Sequence, residues 1–246
     1  MQNHLTEKKI DTALWFTRVF TIINSLLFLL PLFSPQFSYS CYKRALISSA
    51  ATSALRLHQR LPRFQFSREF MAQLFLEDSC HYLIFSVMFI NSYPVTMILI
   101  PVVLFAILHT VSFTKKLLDV RGMLAMSLVR SARQAICKVE LYQQGLLRFI
   151  ACTEIMLMPA IILMTLSGQA GIVIPFVYYR FLSLRYSSRR NPYCRLLFAE
   201  LRQGIQGLAY HQRCPVFVRS FVLSAINFIS RLAPTIEPPT AQSGSS

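Results

Sequence analysis

The densest group of chemically capable side chains in the sequence is the run Glu77-Asp78-Ser79-Cys80-His81. A Cys–His nucleophile or a metal site would need these groups to converge, but successive residues on a helix point about 100° apart. The run stands at the start of an apolar stretch, a position typical of a polar collar at a membrane interface. We therefore predict no catalytic, cofactor or metal site here, and we interpret His58 as a solvated residue of a helix face.

Glu154 is a different case, because it is the only charged residue between Phe149 and Tyr179. A carboxylate inside an apolar segment is costly and by default marks a functional position. We expect His109 or Lys115, from the preceding apolar region, to be its partner. The alternative is a position near the membrane surface, since Glu154 follows Phe149 by only five residues. Glu154 and His109 are therefore the candidate intramembrane polar residues.

Basic residues directly follow this apolar segment, namely Arg180, Arg185, Arg189, Arg190, Arg195 and Arg202. A juxtamembrane cluster of four to eight basic residues is typical of a site for anionic lipid, worth about 1 kcal/mol per residue near the surface. Tyr178, Tyr179 and Tyr186 lie among them, and such a mixture would also suit RNA. Since the chain has no signature of an RNA-binding fold, we predict anionic headgroups as partners and no nucleic acid.

The composition indicates what kind of fold holds these residues. Apolar residues make up 54% of the chain and charged residues 14%, against about 25% charged in soluble proteins. This balance excludes a disordered chain, which needs low hydrophobicity and high charge. The net charge of +15 favours a polyanionic partner, either anionic lipid or nucleic acid. The six cysteines have neither CxxC nor zinc spacing, so we expect free thiols and no cofactor.

The apolar residues are gathered into three blocks, each long enough to supply the ~20 residues of a membrane-spanning helix. The chain is therefore predicted to be an all-α, polytopic helical membrane protein with kinked or hairpin-like blocks and amphipathic cytosolic helices. The blocks cover residues 19–42, 80–113 and 149–179. They are separated and flanked by an N-terminal segment (1–18), a basic helical loop (43–79), a basic helical segment (114–148), a basic tail (180–233) and a disordered C-terminus (234–246). The first block is expected to remain as an anchor, because no signal cleavage site closes it.

The path of these blocks through the membrane has two interpretations. Turn-forming residues interrupt the second and third blocks at 91–94 and 167–171, and proline breaks survive in membranes only where the freed backbone groups are satisfied. Residues 114–148 carry seven basic and two acidic residues, and three simple spans would place them in the lumen. The positive-inside rule disfavours that placement. We favour helical hairpins that keep every basic segment in the cytosol, with three simple spans as the alternative.

The tail contains a pronounced amphipathic pattern between Pro215 and Arg231. Polar residues recur at positions 220, 224, 227 and 231, whereas Phe217, Phe221 and Phe228 lie among the apolar residues of the other side. Such a helix is expected to lie in the headgroup plane of the membrane, and the alternative is that it packs against the bundle. A second tail helix is predicted to start at Asn191-Pro192.

Several of these motifs resemble the transmembrane protein 33 family, which includes the Krüppel homologue 2 proteins and the fungal pore-membrane proteins. The similarity covers about residues 10–235 and rests on runs such as NSYPVTM (91–97), TKKLLDVRG (114–122), FIACTEIMLMPA (149–160) and PFVYYRFLSLRYSSRRNPYCRLLF (175–198). The resemblance implies a non-enzymatic protein of the endoplasmic reticulum and nuclear envelope, associated with reticulon-type membrane shaping and with nuclear pores. It implies three transmembrane segments, in conflict with the hairpin interpretation, and it provides no catalytic residues.

Two classes of function follow from these patterns. The leading hypothesis is a structural and interaction protein that inserts into the cytosolic leaflet, organises tubular and pore-associated membrane, and binds reticulon-type and nuclear pore membrane proteins. The alternative is a channel or transporter, or a regulator of a channel or stress sensor in the endoplasmic reticulum. Broken helices with polar groups near the midplane would support it. The polar residues inside the apolar blocks are few, namely Glu154, His109, Asn91 and Asn24. The sequence does not define an oligomeric state.

Overall fold

A computed structural model describes residues 2–30, 34–61, 67–121, 127–188, 191–211 and 214–232. These residues form ten α-helices and no strand, which confirms the all-α prediction. In chain order the helices are α1 (Gln2–Leu29), α2 (Pro35–Arg60), α3 (Arg68–Leu76), α4 (Asp78–Phe89), α5 (Thr96–Arg121), α6 (Ser127–Leu141), α7 (Gln143–Leu166), α8 (Val173–Ser187), α9 (Tyr193–Ala209) and α10 (Val216–Leu232).

Three helices in the described part of the chain are long and apolar enough to cross a membrane. They cover Lys9–Leu29 in α1, Thr96–Leu118 in α5 and Gln143–Leu166 in α7. Helix α1 begins well before the first predicted block, and the last residues of that block belong to α2. Helix α2 is 26 residues long but too polar to qualify, while α4 and α8 have only 12 and 15 residues.

Helices α1 and α2 form an antiparallel pair in which α2 contacts α1 from Phe28 back to Asp11. Near the connection between them, Ser38 Oγ donates to the carbonyl of Phe28 at 3.2 Å. Half-way along, Ser48 Oγ donates to the carbonyl of Thr17 at 2.7 Å. At the far end Gln59 lies beside Asp11, with Nε2 and Oδ1 3.2 Å apart. The end of α2 therefore returns to the start of α1.

The second and third blocks reverse direction at the turn-forming residues that the sequence indicated. Helix α4 ends at Phe89 and α5 begins at Thr96, beyond Pro94. Helix α7 ends at Leu166, and Gly168 follows with φ +74°, a left-handed conformation that glycine adopts without a Cβ clash. We call the end of the bundle where α1 meets α2, α4 meets α5 and α7 meets α8 the turn end, and its opposite the polar end.

The apolar core lies between the turn end and the middle of the bundle. Tyr42, Phe85, Phe89, Tyr178 and Phe181 are fully buried there. The rings of the last four contact one another in tilted or edge-to-face pairs, and the ring of Tyr42 contacts Phe28. The stripe Tyr178, Phe181, Leu182 has helical spacing, which explains why this side of α8 faces inward.

The remaining helices lie at the polar end. Helix α6 is tied to α5 by the ion pair between Lys115 and Glu140, 2.7 Å from Nζ to Oε2. Helix α9 covers α7 and α8 through Cys194, Leu197 and Leu201. It begins at Tyr193, and Asn191 Oδ1 accepts the backbone N–H of that residue at 3.3 Å, close to the predicted helix start.

Candidate functional site: a buried charged cluster and an exposed tail helix

Glu154 lies in the middle of α7 with no exposed surface. Its carboxylate accepts a hydrogen bond from the hydroxyl of Tyr82 and one from Arg185 Nε at 3.1 Å, and its backbone carbonyl accepts from the hydroxyl of Tyr178 at 2.6 Å. Since a guanidinium only donates, Oε2 of Glu154 is the acceptor in the hydrogen bond from Arg185. These hydrogen bonds join α4, α7 and α8 around Glu154.

Arg185 is the cation of this set, and it is also buried, with 1% of its side chain exposed. Nη1 reaches Asp78 Oδ1 at 3.4 Å, and the guanidinium lies over the ring of Tyr82, 5.3 Å from the centroid. Asp78 accepts a further hydrogen bond from Ser188 at 2.9 Å. The buried charged cluster therefore comprises Asp78, Tyr82, Glu154, Tyr178, Arg185 and Ser188.

Two sequence-based expectations about this region are corrected. Arg185 was assigned to a surface that binds anionic lipid, but its charge faces inward and is paired with Glu154 and Asp78. Glu154 was expected to pair with His109 or Lys115, but His109 bonds Arg56 at 2.9 Å and Lys115 bonds Glu140. Both corrections have one cause: the turn at 167–172 folds α8 back along α7 and brings Arg185 level with Glu154.

The fold gives most members of the run Glu77-Asp78-Ser79-Cys80-His81 different partners, while His81 Nδ1 stays 3.8 Å from Asp78 Oδ1. Glu77 forms an ion pair with Arg60 at 2.9 Å, Asp78 turns to Arg185, and His81 Nε2 contacts the carbonyl of Phe75 at 2.7 Å. Cys80 is a buried free cysteine. Among the described residues no group of three or more His, Cys, Asp or Glu is placed to hold a metal.

Helix α10 lies at the outside of the molecule. Its inner side rests on α9 through Ile226, and Arg219 Nε donates to the carbonyl of Ala209 at 3.0 Å. Phe217, Phe221 and Phe228 share the outward side and are 80%, 67% and 64% exposed. Three aromatic side chains on one uncovered face form an apolar patch that nothing in the described structure covers.

Comparison with known proteins identifies the family. A family model described as transmembrane protein 33/nucleoporin POM33 matches residues 1–235. The chain belongs to this family. Human transmembrane protein 33 is 56% identical over 228 residues, which cover 93% of this chain and 91% of the relative. Krueppel homolog 2 of Drosophila melanogaster is 43% identical over 239 residues, 97% of this chain and 84% of the relative. No solved structure matches the chain.

The other predicted membrane-binding residues of this transmembrane protein 33/POM33 family member occupy different settings. Arg180 is exposed on α8, and Arg195 is half-buried on α9. Arg189 and Arg190 lie outside the described residues, as does the predicted disordered C-terminus at 234–246. The described part of the predicted basic cluster therefore divides into a buried Arg185 and outward-facing neighbours, so only the neighbours are available to anionic headgroups.

Proposed function

We propose that this family member is a non-enzymatic organiser of endoplasmic reticulum and nuclear envelope membrane, which inserts three helical hairpins from the cytosolic face. The observation that carries the proposal is that all three hairpins turn at the same end of the bundle. Charged groups collect away from the turns: the cluster of Asp78, Glu154 and Arg185 lies about half-way along α7, and the ion pair of Lys115 with Glu140 lies towards the polar end. A helical bundle that inserts with its turns first, and keeps its charged groups towards the surface of insertion, takes up different volumes in the two leaflets of the bilayer.

The lengths of the short hairpin arms support this arrangement. Helices α4 and α8 are 12 and 15 residues long, or about 18 and 22 Å at 1.5 Å per residue. The hydrocarbon core of a bilayer is about 30 Å thick. If the charged cluster lies at the headgroup boundary, the turn end therefore passes the midplane without reaching the far surface.

The basic segments favour the same orientation. With hairpins, residues 114–148 and the tail face the cytosol, in agreement with the positive-inside rule. Lys43, Arg44 and Arg180 are nearer to the turn end, and their long side chains must extend along the helix surface to meet phosphate. Exposed aliphatic residues at the turn end, among them Leu166, Ile172 and Val173, are suited to contact acyl chains.

The tail adds a second mode of membrane contact. The exposed Phe217, Phe221 and Phe228 of α10 suit the boundary between headgroups and acyl chains of the cytosolic leaflet. Arg195, on the helix α9 that contacts α10, supplies attraction to anionic headgroups. Reticulon-type and nuclear pore membrane proteins are the proposed protein partners, in line with the sequence resemblance and with the name POM33 in the family description.

A channel or transporter receives less support from the arrangement of the polar groups. Glu154 is fully buried and accepts hydrogen bonds from Arg185 and Tyr82, so it does not line an open path. Intramembrane ionisable groups of transporters are expected to face a cavity or a substrate pathway. The buried cluster is better explained as the contact that fixes α8 against α7 and α4.

Cys137 provides a test of the orientation. It is an exposed free cysteine on α6, within the segment that separates the two topologies. A membrane-impermeant maleimide added to sealed, cytosolic-side-out microsomes should label Cys137 in the full chain, and Cys137→Ser should remove that label. Labelling that requires detergent permeabilisation would place α6 in the lumen and reject the hairpins.

Cys194 is the internal control for this labelling. It lies on α9, buried against α7 and α8, and burial raises the pKa of its thiol to about 12, so it stays protonated and unreactive. Its modification would report unfolded protein. Mass spectrometry of the labelled peptides therefore separates a change of side from a loss of structure.

The proposed membrane-organising activity predicts a change in vesicle shape. Full-length protein reconstituted into liposomes at increasing density should convert round vesicles into narrow tubules, because hairpins that occupy one leaflet more than the other impose curvature. Electron microscopy of the vesicles measures their diameter, with protein-free liposomes taken through the same detergent removal as the control. Round vesicles of unchanged diameter at high protein density would contradict the proposal.

A further inference from the structure

Helix α3 presents an apolar side that faces away from the rest of the protein. At about 100° per residue, its nine residues divide into three sides. The inner side carries the buried Phe70, and the helix that packs against α3 is α4. A polar side carries Glu69 and Gln73. The outer side, which we call the α3 apolar face, carries four exposed apolar residues at i, i+1, i+4 and i+5, namely Met71, Ala72, Phe75 and Leu76.

We propose that the α3 apolar face contacts the cytosolic leaflet of the membrane, at the boundary between headgroups and acyl chains. Leu76, at the end of this face, is 64% exposed, so the fold itself provides little cover for it. The surface is separate from that of α10, because α3 precedes α4 whereas α10 lies on α9. It would give the chain a second amphipathic contact with lipid.

The direction of this face is set by contacts at both ends of α3. At the start, the hydroxyl of Ser67 accepts the backbone N–H of Phe70 at 3.1 Å. At the end, the buried His81 on α4 donates from Nε2 to the carbonyl of Phe75 at 2.7 Å, since a carbonyl only accepts. The apolar face therefore cannot turn inward without the loss of a hydrogen bond from a buried side chain.

The short connection to α4 determines where α3 lies relative to the membrane. Only Glu77 separates Leu76 from Asp78, at which α4 begins. Since consecutive Cα atoms are 3.8 Å apart, the two helix ends are at most about 7 Å from each other. In the hairpin topology proposed above, on which this step rests, α4 passes into the bilayer from Asp78. Helix α3 is therefore continuous with the inserted bundle and lies at the level of the headgroups.

A lipid leaflet fits this face better than a partner protein does. Four partly exposed side chains present much less area than the ~800 Å² per partner that a stable protein–protein interface buries. A helix that its own chain holds beside the membrane needs no such area. Arg68 is exposed on the same outer side at the start of α3, so its guanidinium can extend to lipid phosphate. Glu69 and Gln73 on the polar side can remain in water.

The test uses spin labels on the full-length protein reconstituted into liposomes. Ala72→Cys and Gln73→Cys each receive one nitroxide label, after Cys137, Cys152 and Cys214 have been replaced by serine. Both positions are exposed and adjacent in the chain, but they belong to different sides of α3. Electron paramagnetic resonance compares collisions of each label with oxygen, which concentrates in the bilayer, and with a water-soluble nickel chelate. We expect the label at position 72 to favour oxygen and the label at position 73 to favour nickel.

Substitutions on the two sides of α3 show whether the apolar face is responsible. Met71→Asn with Leu76→Asn should shift the label at position 72 from oxygen towards nickel, because amide side chains are costly to bury in acyl chains. Glu69→Asn with Gln73→Asn is the matched control, since it places the same residues on the polar side, and the oxygen preference at position 72 should persist. The thermal stability of each variant in detergent separates a loss of membrane contact from a loss of fold.

Labelling of Cys137 in the wild-type chain separates this proposal from the topology on which it rests. Nickel preference at both positions, with Cys137 labelled from outside, would overturn the contact of α3 with lipid and leave the hairpins in place. The α3 apolar face would then be a protein-binding surface. Oxygen preference at position 72 alone, with Cys137 labelled only after permeabilisation, would support the contact of α3 with lipid and reject the hairpins. Oxygen preference at both positions, or an unchanged preference in a folded Met71→Asn, Leu76→Asn variant, would also overturn the proposal.

Discussion

Arg185→Ala is expected to destabilise the folded chain by about 3–5 kcal/mol, the range found when one partner of a buried ion pair is removed. The substitution leaves the carboxylate of Glu154 without a cation in a site with no exposed surface. It also removes a hydrogen bond from Asp78 and the guanidinium that lies over Tyr82. Since these contacts join α8 to α7 and α4, the third hairpin should separate first.

The measurement is unfolding of the full-length protein by sodium dodecyl sulfate in mixed micelles, followed through Trp15 fluorescence and far-ultraviolet circular dichroism. Arg148→Ala is the matched control, because Arg148 and Glu200 form an ion pair with about half of each side chain exposed. Exposed pairs contribute about 0–1 kcal/mol. If Arg185→Ala costs no more than Arg148→Ala, then Arg185 is not the buried partner of Glu154.

A double substitution distinguishes the loss of the pair from the loss of packing. Glu154→Leu with Arg185→Met replaces both charges by apolar side chains, and such replacements of buried pairs are often neutral or stabilising. The double variant should therefore recover much of the stability that Arg185→Ala loses. Recovery would mean that the ion pair contributes more to selecting which helices pack together than to the free energy of unfolding.

The all-helical fold was predictable because apolar blocks and their interruptions are local features of the sequence. The turn at 91–94 and the break after Leu166 fall where proline, asparagine and glycine stand. Membership of the family was predictable from long motifs. The role of α2 was not, because its composition resembles an exposed amphipathic helix, while its buried Tyr42 and Leu46 contribute to the core.

Arg185 was not predicted as the partner of Glu154, although the sequence contains a signal for it. Arg185 was grouped with Arg189 and Arg190 by proximity along the chain, which describes a cluster but not a helix face. Its spacing from Tyr178, Phe181 and Leu182 places it on the buried stripe of α8 instead. The same spacing joins Asp78, Tyr82, Phe85 and Phe89 on α4. However, whether the stripe of α8 packs against the stripe of α4 depends on the direction of the chain after each turn, which is a property of the tertiary structure.

The exposed face of α10 carries the other large expected effect. Phe217→Asp together with Phe221→Asp should abolish insertion of the tail, because each Phe loses about 1.5–3 kcal/mol of burial and each new carboxylate adds a cost in an apolar setting. The matched control is Ser220→Asp together with Asn227→Asp, which adds the same charge to the same helix on its polar side. Helix propensity changes little in either variant.

The readout is the depth of α10 in the membrane of reconstituted full-length protein. Ser224, an exposed residue of the polar stripe of α10, is changed to cysteine for an environment-sensitive fluorophore, with Cys137, Cys152 and Cys214 replaced by serine. Lipids brominated in their acyl chains should quench the fluorophore in the otherwise unchanged chain and in the control variant. The Phe217→Asp, Phe221→Asp variant should escape quenching and should form fewer tubules.

Equal quenching in the two Asp variants would contradict insertion through the phenylalanine face. Absence of quenching in every chain would have a different meaning, since Phe217, Phe221 and Phe228 would then remain an uncovered apolar patch beside the membrane. Such a patch is typical of a protein-binding surface. Because the hairpins hold the chain in the bilayer in either case, this comparison separates a tail that acts on lipid from one that acts on a partner protein.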